Sequence, residues 1–190
     1  MPVPPSQTAL LVMDVQPGIV DRIDDPQPLL ERLAAALDAG RDAGMTVVYV
    51  KIGFRPGHPE ISPRNRTFAG IAESRAFVLG ESSEIHRAVA PRDSDIVVVK
   101  RRVSAFAGSD LDVVLRAPGI EALVLAGIST SGVVLSTLRA AADLDFAITV
   151  LRDGCADGDP EVDRVLQEKV FPRQADVVTI DEWVGGLGSA

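Results

Sequence analysis

The sequence predicts an α/β protein, a three-layer α/β/α sandwich around a mostly parallel sheet. Two observations carry this. Apolar, β-rich runs recur along the chain, and they are near-continuous in Val, Ile and Leu instead of alternating with polar residues. Strands of that kind suit parallel sheets buried on both faces. Helical patterns fall between the runs, and that alternation pairs strands in parallel through crossover helices.

The first strand is expected over 8–13 (TALLVM). A helix over 26–43 follows, opening on Asp25-Pro26 as cap and first turn and finishing near Gly44. The second strand is 46–52 (TVVYVKI). Residues 53–94 are irregular, and the stretch GFRPGHPEISPRNRTF has three prolines and two glycines. Loops this long in a compact domain tend to be lids or binding loops. The third strand is 95–99 (DIVVV), with a helix over 109–117 that begins at Ser109 and stops before Pro118. The fourth is 121–126 (EALVLA), leading into a Leu- and Ala-rich helix over 131–143. The fifth is 146–151 (FAITVL), followed by a helix over 159–170 that opens with Asp159-Pro160-Glu161 and ends before Pro172. A weaker sixth strand is 175–180 (ADVVTI).

No repeat, low-complexity tract or linker divides the 190 residues, so one domain spanning 1–190 is expected. The net charge of −8 argues against a general nucleic-acid binder, whose surface would be basic. A single cysteine excludes an intrachain disulfide framework and a cysteine-rich zinc site. The run ALLVMDV is short and contains Asp14, so it is neither a signal peptide nor a membrane span. The expectation is a cytoplasmic protein acting on a small molecule, with no membrane partner, metal or other cofactor.

The chemistry-bearing residues gather at strand ends. Residues 124–139 (VLAGISTSGVVLSTLR) form an apolar strand that breaks at a glycine, crosses a run of hydroxyls and enters a helix. In open α/β sheets ligands sit outside the carboxyl ends of strands, at turns like this one. Asp14 ends the first strand in LLVMDVQPG, and Lys100 ends the third in DIVVVKRRVSAF. Asp14 alone would read as a turn cap. Lys100 stands out because only three of the 19 basic residues are lysines. Phe54, Phe68, Phe77 and Phe106 lie in or just after the irregular region, and suit either satellite core packing or an aromatic pocket wall. Arg55, Arg64 and Asn65 are polar groups of the expected lid, and an arginine fork there would suit a carboxylate-bearing substrate.

Together these residues resemble the isochorismatase-like hydrolases, the family that includes nicotinamidases and N-carbamoyl amidases. Amidase members carry roughly Gly-x-x-Thr-x-x-Cys-Val-x-x-Thr, and Gly127, Thr130, Val134 and Thr137 match. Asp14 and Gln16 match an apolar-Asp-x-Gln pattern, and Lys100 with Ser104-Ala105-Phe106 matches the family's lysine element. The resemblance covers about residues 7–182. It implies a Rossmann-like six-stranded sheet in the order 3-2-1-4-5-6, with the site between the first and fourth strands. It also implies catalysis by Asp14 supported by Lys100. Substrate contacts are expected from Gln16, Phe54, Arg55, Arg64, Asn65, Phe106 and Thr130. A cis peptide at Ile128-Ser129 would aim the backbone N–H groups of Ser129 and Val133 at a substrate oxygen. Assembly as a homodimer or homotetramer is implied too.

Val133 departs from the pattern, because it stands where the amidases carry their nucleophilic thiol. The isochorismatase branch, the resemblance implies, needs no thiol: its Asp protonates a vinyl ether carbon and water attacks the oxocarbenium. Nicotinamidases bind a metal through an Asp and His cluster after the second strand; here KIGFRPGHPE offers His58 and Glu60 without the Asp-x-His. Three readings follow. The first is a metal-independent hydrolase of C–O or C–N bonds working through Asp14. The second is an inactive homologue that only binds a small molecule. The third is a covalent amidase using Ser129, Ser131 or Cys155.

Overall fold

A computed structural model describes residues 3–187. Residues 1–2 and 188–190 of the expected 1–190 unit lie outside the described residues. Six strands form one sheet: β1 (Thr8–Met13), β2 (Thr46–Ile52), β3 (Ile96–Lys100), β4 (Ala122–Ile128), β5 (Ala147–Ala156) and β6 (Asp176–Val178). Every pairing is parallel and the order is β3-β2-β1-β4-β5-β6. The helices are α1 (Pro17–Val20), α2 (Gln27–Asp42), α3 (Arg66–Ser74), α4 (Leu111–Arg116), α5 (Leu135–Asp143), α6 (Pro160–Val165) and α7 (Ile180–Leu187).

The two faces of the sheet explain the unbroken apolar runs. Ala9, Leu11 and Met13 of β1 point to one side, against Leu111 and Leu115 of α4 and Leu138 and Ala141 of α5. Leu10 and Val12 point to the other, against Leu33, Ala36 and Leu37 of α2 and Ile180 of α7. Successive residues of a strand face opposite ways, so a strand covered on both sides needs every residue apolar. Each fully buried Leu or Val contributes roughly 1.5–3 kcal/mol relative to exposure.

Several expectations shift by local chemistry. Asp25 does not cap α2: it has φ 45°, Pro26 holds the cap position, and no side chain bonds the first turn. Asp159 does cap α6, accepting from the N–H groups of Glu161 and Val162. β5 runs on to Ala156, well past the expected 151, because the pairing with β4 shifts register and resumes at Gly127–Cys155. β6 is only three residues long, and Ile180 already begins α7, which the apolar pattern of 175–180 concealed. The irregular region contains α3 and a bridge between Phe54 and Val78. None of the described helices is long and apolar enough to cross a membrane.

Candidate active site

The ends of β1, β3 and β4 meet at one cavity. Its volume is about 340 Å³, enough for a small molecule. Its floor is an ion pair. Asp14 leaves β1 with φ 56°, and its Oδ2 lies 2.8 Å from Lys100 Nζ. Lys100 Nζ also donates to the Arg102 carbonyl at 3.0 Å. Both side chains are almost wholly buried. Asp14 Oδ1 is buried with no hydrogen-bond partner. Burial pushes the Asp14 carboxyl up to about 6, against the opposing pull of the Lys100 charge.

The far wall is the turn after β4. The Ile128-Ser129 peptide is cis, and Thr130–Val134 form a single π-helical turn before α5. Gly127 brings this turn against β1: its φ is 142°, and a Cβ there would stand 2.2 Å from the Met13 carbonyl oxygen. At Gly132 a Cβ would stand 2.7 Å from Ser129 Oγ, so a side chain there would displace that hydroxyl. Two backbone donors of the turn are already engaged, Ser131 N–H by Asp157 Oδ2 at 2.7 Å and Gly132 N–H by the Ser129 carbonyl at 3.1 Å.

Asp14, Lys100, Ser129 and Val133 all line the cavity. The seven residues expected to contact substrate do not. Gln16 is wholly buried, and its amide spans the backbone of Ile52, donating at 3.0 Å and accepting at 2.8 Å. It therefore clamps the start of the loop after β1 to the end of β2. Phe54 lies behind Phe68, ring centroids 6.0 Å apart, in a satellite cluster with Phe77. Arg55 pairs with Glu60 at 2.6 Å and is turned to solvent. Arg64 is exposed, and Asn65 caps α3 by accepting from Phe68 N–H. Phe106 packs on Phe146, on the α4 and α5 side of the sheet. Thr130 is buried and donates to Asp163 of α6. The loop's path explains most of these outcomes. Glu60 gathers Arg55 and Arg101, and His58 Nε2 lies 2.8 Å from the Ala76 carbonyl oxygen.

The cavity walls that sequence reasoning did not assign come mainly from α1 and α3. They include Ile19, Arg22, Thr67 and Ile71. Phe68 and Phe77 thus serve both as satellite core and as pocket wall. The pair Ile19 and Ile23, spaced i,i+4 just past a strand end, was the available signal.

Cys155 sits in the core and does not line the cavity; burial pushes its thiol up to about 12. Among the described residues, no three His, Cys, Asp or Glu side chains converge as a ligand set for a metal.

Residues 8–182 match the Isochorismatase domain family. An isochorismatase family protein of Escherichia coli O157:H7, YecD, is 33% identical over 95% of this chain and 96% of its own. The ureidoacrylate amidohydrolase RutB of Stutzerimonas stutzeri is 32% identical over 97% of this chain and 80% of its own. Among solved structures, N-carbamoylsarcosine amidase from Thermoplasma acidophilum superposes with a TM-score of 0.74 at 27% identity, covering 92% of this chain and 97% of that one. With the sheet order, the strand-end residues and these relatives in agreement, the chain belongs to the isochorismatase family.

Proposed function

We propose that this protein is a hydrolase that opens a C–N or C–O bond of a small molecule through Asp14, with Lys100 in support and no thioester intermediate. Family membership supports hydrolysis, and the names of the amidohydrolase and amidase relatives favour an amide-type bond. The observation that carries the reading is Asp14 itself: one carboxylate oxygen is held by Lys100, and the other is buried and unpartnered in a residue that lines the cavity. Leaving a buried acceptor unsatisfied costs about 1–3 kcal/mol, which a passive binding pocket has no need to bear.

The proposed step balances as the addition of water. Asp14 takes a proton from a water whose oxygen bonds to the electrophilic carbon. The C–N or C–O bond breaks, and Asp14 returns the proton to the leaving atom. Lys100 holds Asp14 in position, and the Ser129 and Val133 N–H groups take the developing negative charge. Val133 supplies shape, not reactivity. The burial of Cys155 and its high pKa argue against a relocated thiol. For Ser129 or Ser131, no histidine base is at hand, since His58 is tied to Ala76 and His86 caps a 3₁₀ turn.

The test is turnover of a panel of amides, carbamates and enol ethers. Asp14→Asn is expected to lower the rate by about 10²–10⁴-fold, while Cys155→Ser keeps it and iodoacetamide does not inhibit. Full rate in Asp14→Asn, or turnover abolished in Cys155→Ser, would sink this reading.

A further inference from the structure

Two charged groups of the cavity, Arg22 and Asp157, have no part in the proposed reaction. Arg22 lies just past α1 and lines the cavity beside Ile19 and Ile23. Arg55 and Arg101 are committed to the Glu60 carboxylate and Arg102 to the Glu60 carbonyl, and among the described arginines Arg22 alone lines the cavity. Lys100 is committed to Asp14. Arg22 is exposed, and among the described residues its side chain has no hydrogen-bond or ion-pair partner. Asp21, Asp24 and Asp25 flank it in sequence, yet none pairs with it within 4.0 Å. Asp157, the other acid at the cavity besides Asp14, accepts from the N–H groups of Ser131 and Asp159.

We propose that Arg22 is the specificity-determining residue of this cavity, selecting substrates that carry a carboxylate as well as the bond Asp14 attacks. The location of that bond rests on the hydrolase reading above. A guanidinium fork matches a carboxylate in two parallel hydrogen bonds, and on a chain of net charge −8 it is a local attractor for anions. The cavity that Arg22 and Asp14 line is also lined by Ile23, Phe68 and Phe77. They suit an uncharged carbon skeleton. The substrate class is therefore a small monocarboxylate with an apolar portion and a hydrolysable group. The arginines expected to serve an anion, Arg55 and Arg64, do not line the cavity, whereas Arg22 after β1 does. Because Arg22 grips a part of the substrate that does not react, its loss raises KM and leaves kcat nearly unchanged.

The test is a calorimetric titration with a series from butyrate to 3-phenylpropionate, each beside its matching primary alcohol. Wild type is expected to favour the carboxylates by about tenfold or more. Arg22→Gln should abolish the preference, and Arg22→Lys should restore part of it. Equal affinity for acid and alcohol in wild type, no binding of either, or a preference that survives Arg22→Gln would overturn the proposal. The same titration on Asp14→Asn keeps the two readings apart: the carboxylate preference is expected there whether or not Asp14 proves to be the acid/base. Arg22 is exposed, so its variants should fold; circular dichroism checks this.

Discussion

Asp14 sits between two opposing demands. Burial favours its neutral form and Lys100 favours its charge, and the balance leaves its carboxyl near 6. That value gives each catalytic role a distinct pH signature in kcat/KM. If Asp14 acts first as a base, only the carboxylate works, so the rate rises with pH through about 6 and levels off above. If it acts first as an acid, as for a vinyl ether, the rate falls through the same region. A profile flat from pH 5 to about 7 would exclude Asp14 from the chemistry. Lys100→Met removes the charge that favours the carboxylate, so the midpoint is expected to move upward and the rising limb to higher pH. Asp14 and Lys100 were legible in sequence because each closes an apolar run, which fixes its side chain at the sheet's edge. Arg55 and Arg64 were not. Their placement depends on how Glu60 folds the loop, a contact that no local periodicity encodes.

At the scale of elements, the turn after β4 depends on one missing side chain. β1 and β4 approach so closely at Met13 and Gly127 that a methyl group cannot enter. Gly127→Ala is expected to cost about 3 kcal/mol, or a Tm lower by roughly 6–12 °C. It should also lose activity beyond the fraction unfolded, because relief comes only by moving the turn away from Asp14. Thermal unfolding and the specific activity of the folded fraction check this; a Tm within 2 °C of wild type would contradict the close approach. The strands were readable from their apolar runs, but their ends were not. β5 continues through Arg152-Asp153-Gly154-Cys155, where polar residues and a glycine signal a loop. There the register shift against β4, together with Gly154 packed on Ala126, carries the strand onward. The π-helical turn at Thr130–Val134 likewise follows from tertiary contacts, with Asp157 and Asp163 holding it from outside.

Across the whole molecule, alternation of strands and helices was enough to indicate three layers, while the sheet order came through the family resemblance. That order sets a schedule. β1 pairs on one edge with β2, which follows it closely in sequence, but its other edge is covered only when β4 arrives. Until then Asp14 and Lys100 have no opposite wall. Cutting the chain between the exposed Pro118 and Gly119 should therefore yield two fragments, neither active alone, that recover turnover when co-expressed. Activity from the first fragment by itself would refute this. The parallel order thus has a consequence in time: a ribosome that stalls before β4 releases a chain holding Asp14 and Lys100 without the Ser129–Val133 wall of their cavity.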